Sequence, residues 1–102
     1  MTKVYELGHS RAGDKGNTSN VSVIAYDSAA WTLLRRELTV DRVMQAYAHL
    51  AQGPITRYEL PKLRALNFVI ENALGGGVTI SLALDAHGKT LSYVMQDIDL
   101  PG

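Results

Sequence analysis

Apolar and polar positions along the chain follow two periods, and the changes between them outline the expected elements. Val4-Tyr5-Glu6-Leu7 and Val21-Ser22-Val23-Ile24-Ala25-Tyr26 run or alternate apolar over a strand's length and are rich in β-branched and aromatic residues, which predicts two strands. Between them His9 to Asn20 holds no large apolar side chain and is expected to be a polar loop. A bare hairpin needs only about two to five connecting residues, so a loop of this length leans towards function. Asp27-Ser28 offers an N-cap to a helix over 29–38, where Trp31, Leu34 and Leu38 recur at helical spacing. Thr39 or Asp41 starts a second helix carrying Val40, Val43, Met44, Tyr47 and Leu50, which Gln52-Gly53-Pro54 stops.

Ile55 to Leu60 alternates, with Ile55, Arg57 and Glu59 on one side, and predicts a strand that ends at Pro61. Leu63, Leu66, Asn67, Ile70 and Leu74 fall on one helical stripe and predict a third helix from about Lys62 to Leu74, although Leu66 to Ile70 also fits a strand. Val78 to Leu84 alternates cleanly as a strand, Asp85 to Lys89 is a tight turn, and Leu91, Val94, Met95 and Ile98 suit a short helix before an extended tail. About four strands with helices on one face make an α+β two-layer sandwich, ferredoxin-like in style, in one domain spanning residues 1–102.

Composition narrows the function classes. The chain is 46% hydrophobic and 20% charged, which suits a folded domain and excludes a disordered one. Its 10 basic and 10 acidic residues cancel. With no basic run beyond Arg35-Arg36, nucleic acid and anionic membrane are not expected partners, whereas a small neutral protein tends to associate, so a homo-oligomer is expected. The absence of cysteine removes disulfides, thiolate metal sites and cysteine nucleophiles. No apolar signal segment opens the sequence and no run is long enough to span a bilayer, which makes the cytoplasm the expected compartment.

The chemistry concentrates between His9 and Asn20. Arg11 and Lys15 can make charge-assisted bonds to a carboxylate or phosphate, Asn17 and Asn20 directional ones, and Gly13 and Gly16 allow close backbone approach beside Asp14. An enzyme reading would use His9 or Asp14 as acid or base and Lys15 or Arg11 as electrostatic stabiliser, with Arg57 and Glu59 nearby. A Ser10-His9-Asp14 triad is disfavoured, because adjacent residues of an extended segment point opposite ways. His9 and Asp14 are too few for a metal site and nothing argues that His49 or His87 joins them, so neither a metal nor a cofactor is expected. Gly75-Gly76-Gly77 follows a predicted helix rather than preceding one, the wrong polarity for a phosphate cradle. The triplet leads into a predicted strand, as does the loop ending at Asn20. Those strands are expected to lie parallel, so that the two loops meet at one ligand site with Asn20 or Lys15 near Gly76; antiparallel strands would hold them at opposite edges.

Arg11-Ala12-Gly13-Asp14-Lys15-Gly16-Asn17-Thr18-Ser19-Asn20-Val21, together with Leu60-Pro61-Lys62-Leu63-Arg64-Ala65-Leu66-Asn67-Phe68 and Ala73-Leu74-Gly75-Gly76-Gly77, resembles the C-terminal domain of the AtuA (acyclic terpene utilisation) family, which also occurs free-standing. The likeness covers nearly the whole chain, and Arg-x-Gly-Asp-Lys-Gly-Asn is its most specific part. The family commonly has Ser where this chain has Ala12, and its larger members carry a long N-terminal region. The resemblance implies a ferredoxin-like domain linked to degradation of branched acyclic acids or their CoA esters. A carboxylate or acyl-CoA ligand and a separately encoded AtuA N-terminal-type partner follow as expectations, in a role as accessory or binding domain. The alternatives are a small stand-alone enzyme and a purely structural oligomerisation domain.

Overall fold

The computed structural model describes residues 1–15, 18–48, 54–71 and 92–101. Its elements are β1 (Thr2–Lys3), α1 (Val4–Leu7), β2 (Gly8–Lys15), β3 (Thr18–Ala25), α2 (Ser28–Glu37), α3 (Val40–Ala46), β4 (Ile55–Leu60), a 3-10 turn (Pro61–Leu63), β5 (Ala65–Glu71) and β6 (Asp99–Leu100). Residues 92–96 form a further helical turn, α4. Four strands make one antiparallel sheet in the order β2-β3-β5-β4, and the β1-β6 pair ties the two ends of the chain together. This is the expected α+β sandwich.

The sheet's inner face is built by alternation. Val21 and Val23 of β3 pair with Phe68 and Leu66 of β5, all four fully buried, and Ile70 pairs with Ile55 of β4. Leu34 of α2 and Leu38 just after it, Val43 of α3 and Tyr47 just after it, and Met95, Ile98 and Leu100 from the last segment complete one core cluster on that face. Asp27 caps α2 by accepting from the Ala30 N–H at 2.8 Å, and Thr39 caps α3 by accepting from the Arg42 N–H at 3.3 Å. Met44, expected on the apolar stripe of α3, is instead exposed.

Three expectations are corrected. Val4 to Leu7 is a helical turn rather than a strand: the Glu6 carboxylate accepts from the Lys3 backbone N–H at 2.9 Å, and Val4 N–H donates to the Ile98 carbonyl at 3.0 Å, so the segment bonds to itself and to the chain's end. The polar stretch His9 to Asn20 is a hairpin rather than a loop. Pairing of β2 with β3 continues to Lys15 opposite Thr18, leaving only residues 16 and 17 between the paired positions. The segment 62–74 is no helix over its described length. Pro61 opens a single 3-10 turn, Arg64 takes a left-handed backbone (φ 51°), and β5 follows. Leu66, Phe68 and Ile70 at a spacing of two outweighed the stripe at three and four, because β5 is central and finds pairing partners on both sides. Leu50, His49, the 51–53 stop, the Val78–Leu84 strand and the Asp85–Lys89 turn lie outside the described residues.

Tyr47 carries a pH-dependent share of the stability. Burial pushes its phenol above the ordinary value of 10.0, and a hydrogen bond with the Met95 backbone opposes this in part. The unfolded chain therefore releases this proton from about pH 10 upward while the folded chain keeps it. The native state then holds more protons, and stability falls as pH rises, at up to about 1.4 kcal/mol per pH unit. Urea midpoints taken between pH 8 and 11 should decline more steeply in the wild type than in Tyr47→Phe; parallel declines would refute the assignment.

Candidate functional site

The other face of the same sheet carries the candidate chemistry. Register places Arg11 opposite Ser22, Ser22 opposite Asn67, and Asn67 opposite Tyr58, so these four side chains form one row across all four strands. At the usual strand spacing the row is about 14 Å long. A second row runs His9, Ile24, Ala65, Leu60, and a third runs Gly13, Asn20, Val69, Thr56. The described helices contribute their apolar residues to the core on the opposite side, and His9, Arg11, Asn20, Thr56, Tyr58 and Leu60 are exposed.

Within the central row the Ser22 hydroxyl donates to Asn67 Oδ1 at 2.9 Å. This fixes the amide and leaves its Nδ2 hydrogens for another acceptor. Arg11 has no ion-pair partner among the described residues. His9 stacks obliquely on Tyr26, ring centroids 6.0 Å apart with planes tilted 33°, and among the described residues it has no hydrogen-bonded carboxylate. Gly13 is a strand residue. The Asn20 amide stands 3.7 to 3.9 Å from where a Cβ would be, ordinary contact, so glycine here keeps the surface low rather than enabling a special backbone.

The hairpin thus brings His9, Arg11, Gly13 and Asn20 to one face. Asp14 and Lys15 are placed by backbone pairing opposite Ser19 and Thr18. Ser10 alternates to the core side, its Oγ buried with no partner among the described residues, so a hydroxyl and an imidazole adjacent in sequence point through opposite faces. Arg57 also belongs to the core side, opposite Phe68. Its guanidinium donates to the carbonyls of Leu38 at 3.2 Å and Arg35 at 2.7 Å and pairs with Glu59 at 3.1 Å, which separates it from the Arg11 row by the thickness of the sheet. Gly16, Asn17, the Gly75-Gly76-Gly77 triplet and His87 lie outside the described residues, and with them the expected meeting of the two glycine segments.

Sequence reasoning missed Ser22, Asn67 and Tyr58. A signal existed for the first two: each is a lone polar residue between two apolar ones, Val21/Val23 and Leu66/Phe68, which on a strand assigns it to the face opposite the core. A separate shallow cleft of about 260 Å³ lies against α2, lined by Trp31, Thr32, Arg35, Arg36 and Glu59. Its two arginines are already paired, Arg35 with Glu59 and Arg36 with Glu37, so it offers an incoming anion little net charge. No group of three or more His, Asp or Glu able to hold a metal ion occurs among the described residues, and no helix among them is long and apolar enough to cross a membrane.

Compared with known proteins, residues 2–101 match the family described as the AtuA ferredoxin-like domain. No curated protein and no solved structure matches the chain.

Proposed function

This chain belongs to the AtuA ferredoxin-like domain family, and we propose that it serves there as an accessory, small-molecule-binding domain in the breakdown of branched acyclic acids or their CoA esters, holding the ligand's anionic group on the β2-β3 hairpin. One observation carries the reading: Arg11, exposed and without an ion-pair partner among the described residues, heads a row whose next members expose an amide and a phenol. Alongside that row lie the half-buried Ile24 and the exposed Leu60, with the buried Ala65 between them. A ligand with an anionic head and a short branched apolar body fits this pairing, the head on Arg11 and the body along the apolar row. An AtuA N-terminal-type protein would supply the chemistry that this domain supports. The stand-alone enzyme reading has less behind it, since among the described residues His9 has an aromatic neighbour and no carboxylate to orient it.

Calorimetric titration with a branched short-chain acyl-CoA, the free acid and coenzyme A alone tests the proposal. Binding should weaken with added salt. Arg11→Ala should lower affinity about 10- to 100-fold, the size of one lost charge-assisted bond, with Lys15→Ala as a second arm. Equal affinity in the wild type and Arg11→Ala would overturn it.

A further inference from the structure

We infer that the sheet face bearing the Arg11 row is the interface between two copies of this chain, closed with β2 of one copy over β4 of the other. An open sheet face encloses a small ligand on one side only. It exposes Tyr58 (51%) and Leu60 (40%) on β4 at one end of the rows, and His9 and Arg11 on β2 at the other. With their strands aligned, two such faces can stack about a twofold axis in either of two ways. An axis across the strands sets β2 over β2 and brings Arg11 against its own copy, cation on cation. An axis along the strands sets β2 over β4 and brings Arg11 against Tyr58, and His9 against Leu60. The second arrangement is complementary twice over by symmetry, placing a guanidinium on an aromatic ring in each half.

Area and charge agree with this partner. Four strands at their usual spacing and six to eight residues long offer a face that buries on the order of 1,000 Å² in total when doubled, the lower bound for a specific interface. A chain of net charge zero meets no long-range repulsion from its copy. Gly13 and Ser22 are small residues within the rows, so two sheets about 10 Å apart retain space between them. Each copy would then contribute Tyr58 to the neighbourhood of the other's Arg11. This last consequence rests on the ligand reading above, whereas the interface itself does not.

Sedimentation equilibrium over a dilution series is expected to give a dimer whose dissociation constant rises at least about 100-fold in Tyr58→Asp, with the far-UV spectrum retained because Tyr58 is exposed. The absence of cysteine allows a direct test of the axis. Arg11→Cys and Tyr58→Cys proteins, mixed and treated with a bismaleimide of about 8 Å reach, should cross-link to each other faster than either does to itself. A monomer at every concentration, a Tyr58→Asp dimer as tight as the wild type, or cross-linking of Arg11→Cys with itself above the mixed pair would each overturn the inference. A dimer with these properties that binds no acyl-CoA or acid would uphold the interface and remove the ligand proposal alone.

Discussion

Gly8→Ala is expected to destabilise the protein by at least about 3 kcal/mol, while the same exchange five residues along the same strand, Gly13→Ala, changes stability by no more than about 1 kcal/mol. Gly8 is buried and opens β2 opposite Ala25. A methyl group there would overlap the Ile24 carbonyl oxygen and stand 2.8 Å from the Ile24 carbonyl carbon and 3.1 Å from the Ala25 Cα. All three are backbone atoms, so no side-chain rotation relieves the contact. The backbone at Gly8 is extended (φ −173°), a conformation open to any residue, so the cost is one of space and not of dihedral angle. Relief would require β2 to move away from β3, which is itself bonded to β5 and held beside Gly8 by the Tyr26 N–H to Leu7 carbonyl bond of 2.9 Å. At Gly13 the nearest atoms belong to the flexible Asn20 amide at van der Waals distance. Urea unfolding of the two variants compares identical chemistry in two surroundings, and a Gly8→Ala protein as stable as the wild type would disprove the close approach.

The elements legible in the sequence were those in which local signals and long-range packing agree. Asp27 and Thr39 cap α2 and α3 because their side chains reach N–H groups three residues on, a purely local matter. β4 was read to the residue because alternation and Pro61 mark both its pattern and its end. The errors fall where partners distant in sequence decide. β5 carries a helical stripe, yet Phe68 and Leu66 face Val21 and Val23 about 45 positions earlier in the chain, and central position in the sheet overrides the local period. α1 was read as a strand because Val4, Tyr5 and Leu7 suit one, whereas the β1-β6 pair and the Ile98 carbonyl anchor the segment from 94 or more residues away.

The form of the candidate site divides in the same way. The sequence marks His9 to Asn20 as a polar stretch without large apolar residues, and that polarity reads as loop character although the stretch is paired strand. On an outer strand with its alternate residues turned to the core, the others turn to the opposite face, so the hairpin satisfies its backbone through β3 and still shows Arg11 and His9 outward. What the one-dimensional reading lacked was register. Arg11 falls into one row with Ser22, Asn67 and Tyr58 only once four strands are aligned, and Arg57 is carried off to the opposite face by the same alignment.

Arg57→Ala is therefore expected to cost stability rather than ligand, by about 3 kcal/mol. α2 ends at Glu37, where its last carbonyls have no partners within the helix and carry the negative end of its dipole. Arg57 reaches across from β4 and donates to one of them, that of Arg35, and to the carbonyl of the capping residue Leu38, while its own charge is balanced by Glu59, which also pairs with Arg35 at 3.1 Å. The side chain is only 16% exposed, so alanine leaves carbonyls that water reaches poorly and a Glu59 carboxylate with one cation in place of two. Lysine keeps the charge but not the fork, since one ammonium cannot reproduce the divergent directions of the two guanidinium nitrogens, and Arg57→Lys should recover less than half of the loss. Chemical denaturation of the three proteins measures this directly, with acyl-CoA affinity of the folded variants as the second readout. Stability within about 0.5 kcal/mol of the wild type combined with lost ligand binding would reverse the assignment and return Arg57 to the binding site.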